Sequence, residues 1–141
     1  MAGETKAVLT AYAKPRKKLA TGALCCQVFS VAVATTEMEL ADVVNLGYLP
    51  AGVTAVAVGI ATHDMDSSTG VVQKVTIGST DVLTGITTGV LGSVATQVPS
   101  VRAIIPQTTT DATLVSTTFT TAPSGTAAAG TIHVSVWFYS A

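Results

Sequence analysis

The chain has 141 residues, of which 48% are hydrophobic and only 11% are charged, and its net charge is −1. Disordered proteins combine low hydrophobicity with high charge, so this composition indicates a folded chain, and its length is that of one domain. The near-neutral charge argues against a nucleic-acid-binding protein, which needs a basic field. Two cysteines are too few for a disulfide framework.

Residues 1–21 predict an extended N-terminal arm that precedes a domain over residues 22–141. The arm has little periodicity and holds most of the basic charge, and Pro15 favours an extended backbone there. The basic cluster could bind a negatively charged protein surface or nucleic acid, or stay solvated without a partner. It consists of Lys14, Arg16, Lys17 and Lys18.

The apolar stretch after the arm predicts an ordinary strand over residues 24–34. Gly22, Gln27 and Ser30 interrupt it, which argues against a secretory signal and a membrane helix. A second strand is expected at residues 38–46, followed by a turn at residues 48–52 that contains proline and glycine.

The middle of the chain predicts a hairpin. Val53–Thr62 is expected to be a strand with Val56, Val58 and Ile60 on one face. A polar loop at residues 63–70 should join it to a partner strand at residues 71–78. Residues 79–97 are glycine-rich and fit a loop, a short helical turn or a weak strand.

The remaining segments complete a set of about seven to nine short strands, which is typical of a two-sheet antiparallel β-sandwich. Prolines at both ends of residues 98–105 suggest an edge strand, and Thr113–Thr121 is a threonine-rich strand. Residues 131–140 alternate most clearly. One face of that strand holds Ile132, Val134, Val136 and Phe138, and the other holds His133, Ser135, Trp137 and Tyr139.

Few residues suggest chemistry. His63, Asp64 and Asp66 could contribute to a metal site, but aspartates in a polar loop more often stabilise a turn through its backbone. Cys25 and Cys26 are adjacent, so in a strand they point to opposite faces, and we expect buried thiols in a protein made in a reducing cytoplasm.

No catalytic or cofactor-binding pattern is present in the sequence. The chain has two histidines and no Gly-x-Ser-x-Gly, so no motif places a nucleophile beside a catalytic base. The glycines at 85, 89 and 92 match neither a dinucleotide fingerprint nor a P-loop. We therefore expect a protein that is not an enzyme and that uses no cofactor or metal.

The outward face of the last strand is the second candidate for function. His133, Trp137 and Tyr139 lie opposite an apolar face, and Trp137 is the only tryptophan of the chain. Tryptophan and tyrosine are favoured in interfaces because they bury a large area and keep a polar tip. Burial against another subunit and cover by another part of the same chain both remain open.

Several segments resemble small structural proteins of tailed bacteriophages, those jelly-roll proteins that decorate or cement the capsid. The resemblance spans residues 38–141. It is carried by the turn Leu49-Pro50-Ala51-Gly52 before an apolar strand, the Asp-x-Asp loop at 64–66, and the closing strand that begins Ala129-Gly130-Thr131-Ile132.

This resemblance implies a jelly-roll protein without catalytic residues that binds the outer surface of an icosahedral shell. Its implied partners are the major capsid protein and its own copies, as a homotrimer, with no nucleic acid or membrane involved. Its location would be the virion, after synthesis in the bacterial host cytoplasm. The alternative is a receptor- or glycan-binding module of a head fibre, spike or tail.

Overall fold

The protein is described here by a computed structural model that covers residue 3 and residues 5–6, 24–68, 70–90 and 107–140. Within these residues, nine strands form two sheets that pack against each other. The result is the two-sheet, all-β sandwich that the alternating sequence pattern predicts, and it is jelly-roll-like, as the resemblance implies. No helix in these ranges is long and apolar enough to cross a membrane.

A short 3-10 turn at Thr35–Glu37 is the helical element among the described residues. The strands are β1 (Thr5–Lys6), β2 (Leu24–Val33), β3 (Val43–Leu49), β4 (Val53–Thr62), β5 (Val72–Ile77), β6 (Thr80–Ile86), β7 (Gln107–Thr108), β8 (Thr113–Thr121) and β9 (Gly130–Ser140).

One sheet has five strands in the order β1-β3-β8-β5-β6, and the other has four in the order β2-β9-β4-β7. All pairs are antiparallel except the two-residue pairing of β1 with β3, which is parallel. Strands β2 and β9 pair without interruption from Leu24 opposite Tyr139 to Val33 opposite Gly130. This continuous ladder fixes which side chains of both strands point outward, because successive residues alternate between faces.

The core lies between the two sheets and is built from the inward residues of both. The apolar face predicted for β9 is buried, from Ile132 to Phe138. The largest side chains without solvent contact include Phe29 of β2, Phe119 of β8 and Leu46 of β3. Branched and aromatic residues suit these positions because they pack well on a pleated surface.

The predicted strand at residues 38–46 begins too early, because a turn occupies its first half. Ala41 adopts a φ of 70°, and the backbone N–H of Glu39 donates to the Asp42 carboxylate at 2.9 Å. The strand therefore starts at Val43 and continues through Tyr48 and Leu49, two residues that we expected in the following turn.

The predicted hairpin of residues 53–62 with 71–78 is also wrong. Strand β4 belongs to the four-stranded sheet, whereas β5 pairs with β6 and β8 in the other sheet. The loop between them crosses from one sheet to the other. Strand β6 supplies the hairpin partner of β5 instead, and it lies in the segment whose pattern left loop, helical turn and strand open.

Val56 does not share the inward face of Val58 and Ile60. The pairing register of β4 with β9 shifts between Ala55 and Ala57. Such a bulge adds one residue to a strand and reverses the alternation beyond it. Val56 is consequently 37% exposed, whereas Val58 and Ile60 are buried.

Two predicted elements lie outside the described residues. They are the proline-flanked strand at residues 98–105 and nearly all of the N-terminal arm, of which the pairing of β1 with β3 is described.

Candidate interaction surface

The side of the four-stranded sheet that faces away from the core forms a continuous surface, which we call the outer face. Its residues come from β2, β4 and β9, and each is exposed or half-buried. They are Leu24, Cys26, Val28, Ser30, Ala32, Val56, Ala57, Ala61, Thr131, His133, Ser135, Trp137 and Tyr139.

The outer face has no formal charge apart from any proton on its histidine. The sequences of β2, β4 and β9 contain no aspartate, glutamate, lysine or arginine. Aspartate, glutamate, lysine and arginine are mostly exposed in folded proteins, and surfaces of soluble proteins are rich in them. A sheet face that lacks all four is therefore unusual for a protein that stays free in solution.

One end of the outer face is apolar. Leu24 is 67% exposed and lies opposite Tyr139, which is 37% exposed. In the next row Cys26 lies opposite Trp137, and Val28 follows with 48% of its surface exposed. Directly opposed side chains on one face of a sheet are close enough to contact each other, so these residues form one apolar patch around Trp137.

The other end of the outer face is polar and organised by two imidazoles. The Ser30 hydroxyl and Nδ1 of His133 form a hydrogen bond of 2.7 Å. The backbone N–H of Thr131 donates to Nδ1 of His63 at 3.3 Å. The two rings meet edge to face, with centroids 6.1 Å apart. Neighbouring residues of the same chain thus hold His133 in place.

The expectation that both cysteines are buried is wrong for Cys26. The two thiols do point to opposite faces, and neither forms a disulfide, but Cys26 is exposed on the outer face while Cys25 is half-buried against the core. Partial burial raises the pKa of the Cys26 thiol above its ordinary value.

The carboxylate of Asp66 organises the loops at one end of the sandwich. It has no exposed surface, and its two oxygens accept five backbone N–H groups at 2.9–3.1 Å. Three of these donors belong to its own loop and two to the loop between β8 and β9. They are Ser68, Gly70, Val71, Ser124 and Gly125.

These hydrogen bonds argue against a metal site in the segment of residues 63–66. Both oxygens of Asp66 face N–H donors, which suit an anion and repel a cation. Asp64, two residues earlier, is exposed, whereas Asp66 is buried. Among the described residues no group of three or more histidine, cysteine or acidic side chains could hold a metal ion. Asp66 is thus a structural carboxylate that joins two loops.

The sequence-predicted site residues are only partly described. His133, Trp137 and Tyr139 lie on the outer face, as the alternation of β9 predicts. The basic cluster of Lys14, Arg16, Lys17 and Lys18 lies outside the described residues. The contribution of β2 was missed, although the inward run of Phe29, Val31 and Val33 in its sequence implies that the alternate residues point outward.

No protein-family model matches the chain, and a search of curated proteins finds no match. Solved structures do match. One is a chain from the capsid of Ralstonia phage GP4, with a TM-score of 0.73 and 17% identity over 89% of this chain and 92% of that chain. The chain shares its fold with components of phage capsids. A chain from the cyanophage Pam1 capsid asymmetric unit aligns with a TM-score of 0.68 and 20% identity, over 94% of this chain and 97% of that chain.

Proposed function

We propose that this protein is a structural component of a bacteriophage virion that binds the outer surface of an icosahedral capsid and stabilises the lattice of the major capsid protein. The observation that supports the proposal best is the likeness to chains from two phage capsid structures, which extends over 89% and 94% of this chain. The likeness therefore includes nearly the whole sandwich and not only one sheet. The proposed role is binding, without catalysis or a cofactor.

Binding would stabilise the capsid through a difference in affinity. A protein that binds the assembled lattice more tightly than its dissociated subunits shifts the equilibrium toward the lattice. The effect needs no single strong contact, because many weak contacts repeat over a symmetric shell.

The basic arm is the proposed contact with the capsid or with a neighbouring copy. From Leu24 onward the described residues contain seven acidic side chains and one basic one, Lys74, which gives them a net charge of −6 with neutral histidines. The cluster at Lys14, Arg16, Lys17 and Lys18 has the opposite sign. An acidic capsid surface, or the acidic body of a neighbouring copy, would attract it.

We further propose that copies associate as a homotrimer, with His133, Trp137 and Tyr139 at the contact between subunits. The support is the position of these residues on an exposed face without charged residues. Aromatic residues are enriched in protein interfaces and charged residues are depleted at interface centres. The protein would be made in the host cytoplasm and reside in the virion.

Co-sedimentation with capsid shells that lack this protein tests the function. The purified protein should sediment with the shells, and binding should weaken as salt rises, because the arm contributes charge. Lys17→Ser should weaken binding more than Lys74→Ser, which removes the same charge outside the arm. Absence of binding at every salt concentration would refute the proposed function.

A further inference from the structure

We infer that the outer face of the four-stranded sheet is the surface through which one copy of this chain packs against another. The inference rests on the proposed function, because copies that bind a capsid lie side by side on its surface. It names the partner as a second copy, and it extends the contact from the three residues of β9 to the apolar end formed by Leu24, Cys26, Val28 and Val56.

Charge is distributed unevenly over the described body. The seven acidic residues of the described body lie in the turn after β2, in the loop after β4, in β6 and before β8; they are Glu37, Glu39, Asp42, Asp64, Asp66, Asp81 and Asp111. The strands that form the outer face carry none of them. Identical copies that approach through acidic surfaces repel each other, whereas outer faces meet without a charge penalty.

The exposed apolar side chains of the described residues concentrate on the outer face. Of the five large hydrophobic residues that are exposed among the described residues, four belong to the outer face: Leu24, Val28, Val56 and Tyr139. They surround Trp137, a residue type that often carries much of the energy of an interface. The fifth, Leu40, lies in the turn after β2 and is 55% exposed.

The size of the outer face indicates a weak contact. Three strands about 4.8 Å apart and about ten residues long, at about 3.3 Å per residue, give a flat area of about 480 Å². A stable pair of proteins buries about 800 Å² on each partner. Copies therefore associate transiently in solution and more completely where a lattice holds them side by side, so the test must capture a transient contact.

A transient contact between two copies can be trapped by cross-linking at Cys26, because its exposed thiol lies opposite Trp137 in the apolar end. A short bifunctional maleimide added to the free, full-length protein should link two copies, and Cys26→Ser should abolish the product. Leu24→Glu and Val28→Glu should each lower the yield about tenfold or more, because the contact would bury an unpaired carboxylate. Leu40→Glu, the matched control, should leave the yield unchanged.

Three outcomes would overturn the inference. They are no linked product in the parent protein, a product that both glutamate variants of the outer face retain, and a product that Leu40→Glu removes equally. Co-sedimentation of the same variants with capsid shells separates this inference from the proposed function. If Leu24→Glu stops shell binding but retains the linked product, the outer face contacts the capsid. The inference then fails together with the proposed subunit contact of β9, while the proposed binding to the capsid stands.

Discussion

Asp66 and Gly125 are 59 positions apart, yet the Gly125 N–H donates to Oδ1 of Asp66 at 2.9 Å. This bond and its neighbour from Ser124 connect the loop that crosses between the sheets to the loop that precedes β9. Strand β9 pairs with both β2 and β4 and forms the centre of the outer face. The Asp66 carboxylate therefore fixes the loop from which the central strand of the candidate interaction surface departs.

Replacing Asp66 by asparagine should lower the thermal unfolding midpoint more than any other aspartate-to-asparagine change in the described residues. The amide keeps one acceptor oxygen but presents an NH2 group to backbone N–H donors, and these donors are then left unsatisfied. Asp64→Asn, two residues away and exposed, is the matched control and should leave the midpoint unchanged. Equal midpoints for the two variants would show that the carboxylate does not hold the loops.

The same carboxylate should make stability depend on acid pH. Burial raises the pKa of Asp66, but the hydrogen bonds from Ser124, Ser68, Gly125 and Gly70 outweigh this effect and hold the pKa below its ordinary value of 3.8. A group with a lowered folded-state pKa stabilises the fold above the unfolded-state pKa and loses this contribution as pH falls through the folded-state pKa. The stability difference between the parent protein and Asp66→Asn should therefore be constant near neutral pH and shrink below about pH 3.8.

Urea unfolding measured across this range checks the pH dependence. A difference between parent and variant that stays constant down to the lowest pH would contradict the account, because it would mean that Asp66 does not titrate differently in the two states.

Gly70→Ala should destabilise the protein by about 1–3 kcal/mol, the usual cost of overpacking. A Cβ at Gly70 would lie 2.7 Å from the backbone nitrogen of Ser124, within the loops that Asp66 joins. Gly85→Ala is the comparison, because Gly85 has a φ of +65° and no atom within 4 Å of an added Cβ. Its cost should be only the conformational one, about 1–2 kcal/mol.

The two alanine variants differ in a second observable. Gly70→Ala should speed hydrogen exchange of the Ser124 and Gly125 amides, whereas Gly85→Ala should leave these two amides unchanged. Unaltered exchange at both amides in Gly70→Ala would contradict the close approach of the two loops.

Gln73→Met should stabilise the protein by about 1–2 kcal/mol, because it removes a buried polar group that lacks partners. Gln73 is completely buried on β5, and neither its side-chain oxygen nor its nitrogen has a hydrogen-bond partner. Methionine has a similar shape and no such groups to satisfy. Urea unfolding measures the change, and Gln73→Ala should destabilise instead, because it leaves a cavity. A loss of stability in Gln73→Met would show that the amide is hydrogen-bonded within the core.

The sequence predicts those parts of the fold that depend on local alternation. Val53–Thr62 and Thr113–Thr121 are strands at the predicted bounds, and the outward position of Trp137 follows from the period-2 pattern of β9. Pairing was less predictable, because it depends on contacts between distant segments. Strand β5 follows β4 in the sequence, yet it lies in the other sheet.

The role of Asp66 was beyond sequence reasoning for the same reason. An Asp-x-Asp segment in a polar loop fits an exposed turn, and nothing local indicates that two of the donors to Asp66 come from residues 124 and 125. The outer face was half predictable. The outward aromatic residues of β9 indicate an interface already in the sequence. The outward residues of β2 are small or aliphatic, so their sequence does not by itself indicate an interface.

Electron cryo-microscopy of intact phage particles that contain this protein tests the central claim most directly. The account predicts density for this two-sheet sandwich at symmetry-related positions on the outside of the capsid shell, in contact with the major capsid protein. Particles whose shell lacks this density, with the protein located only in the tail or absent from the virion, would contradict it.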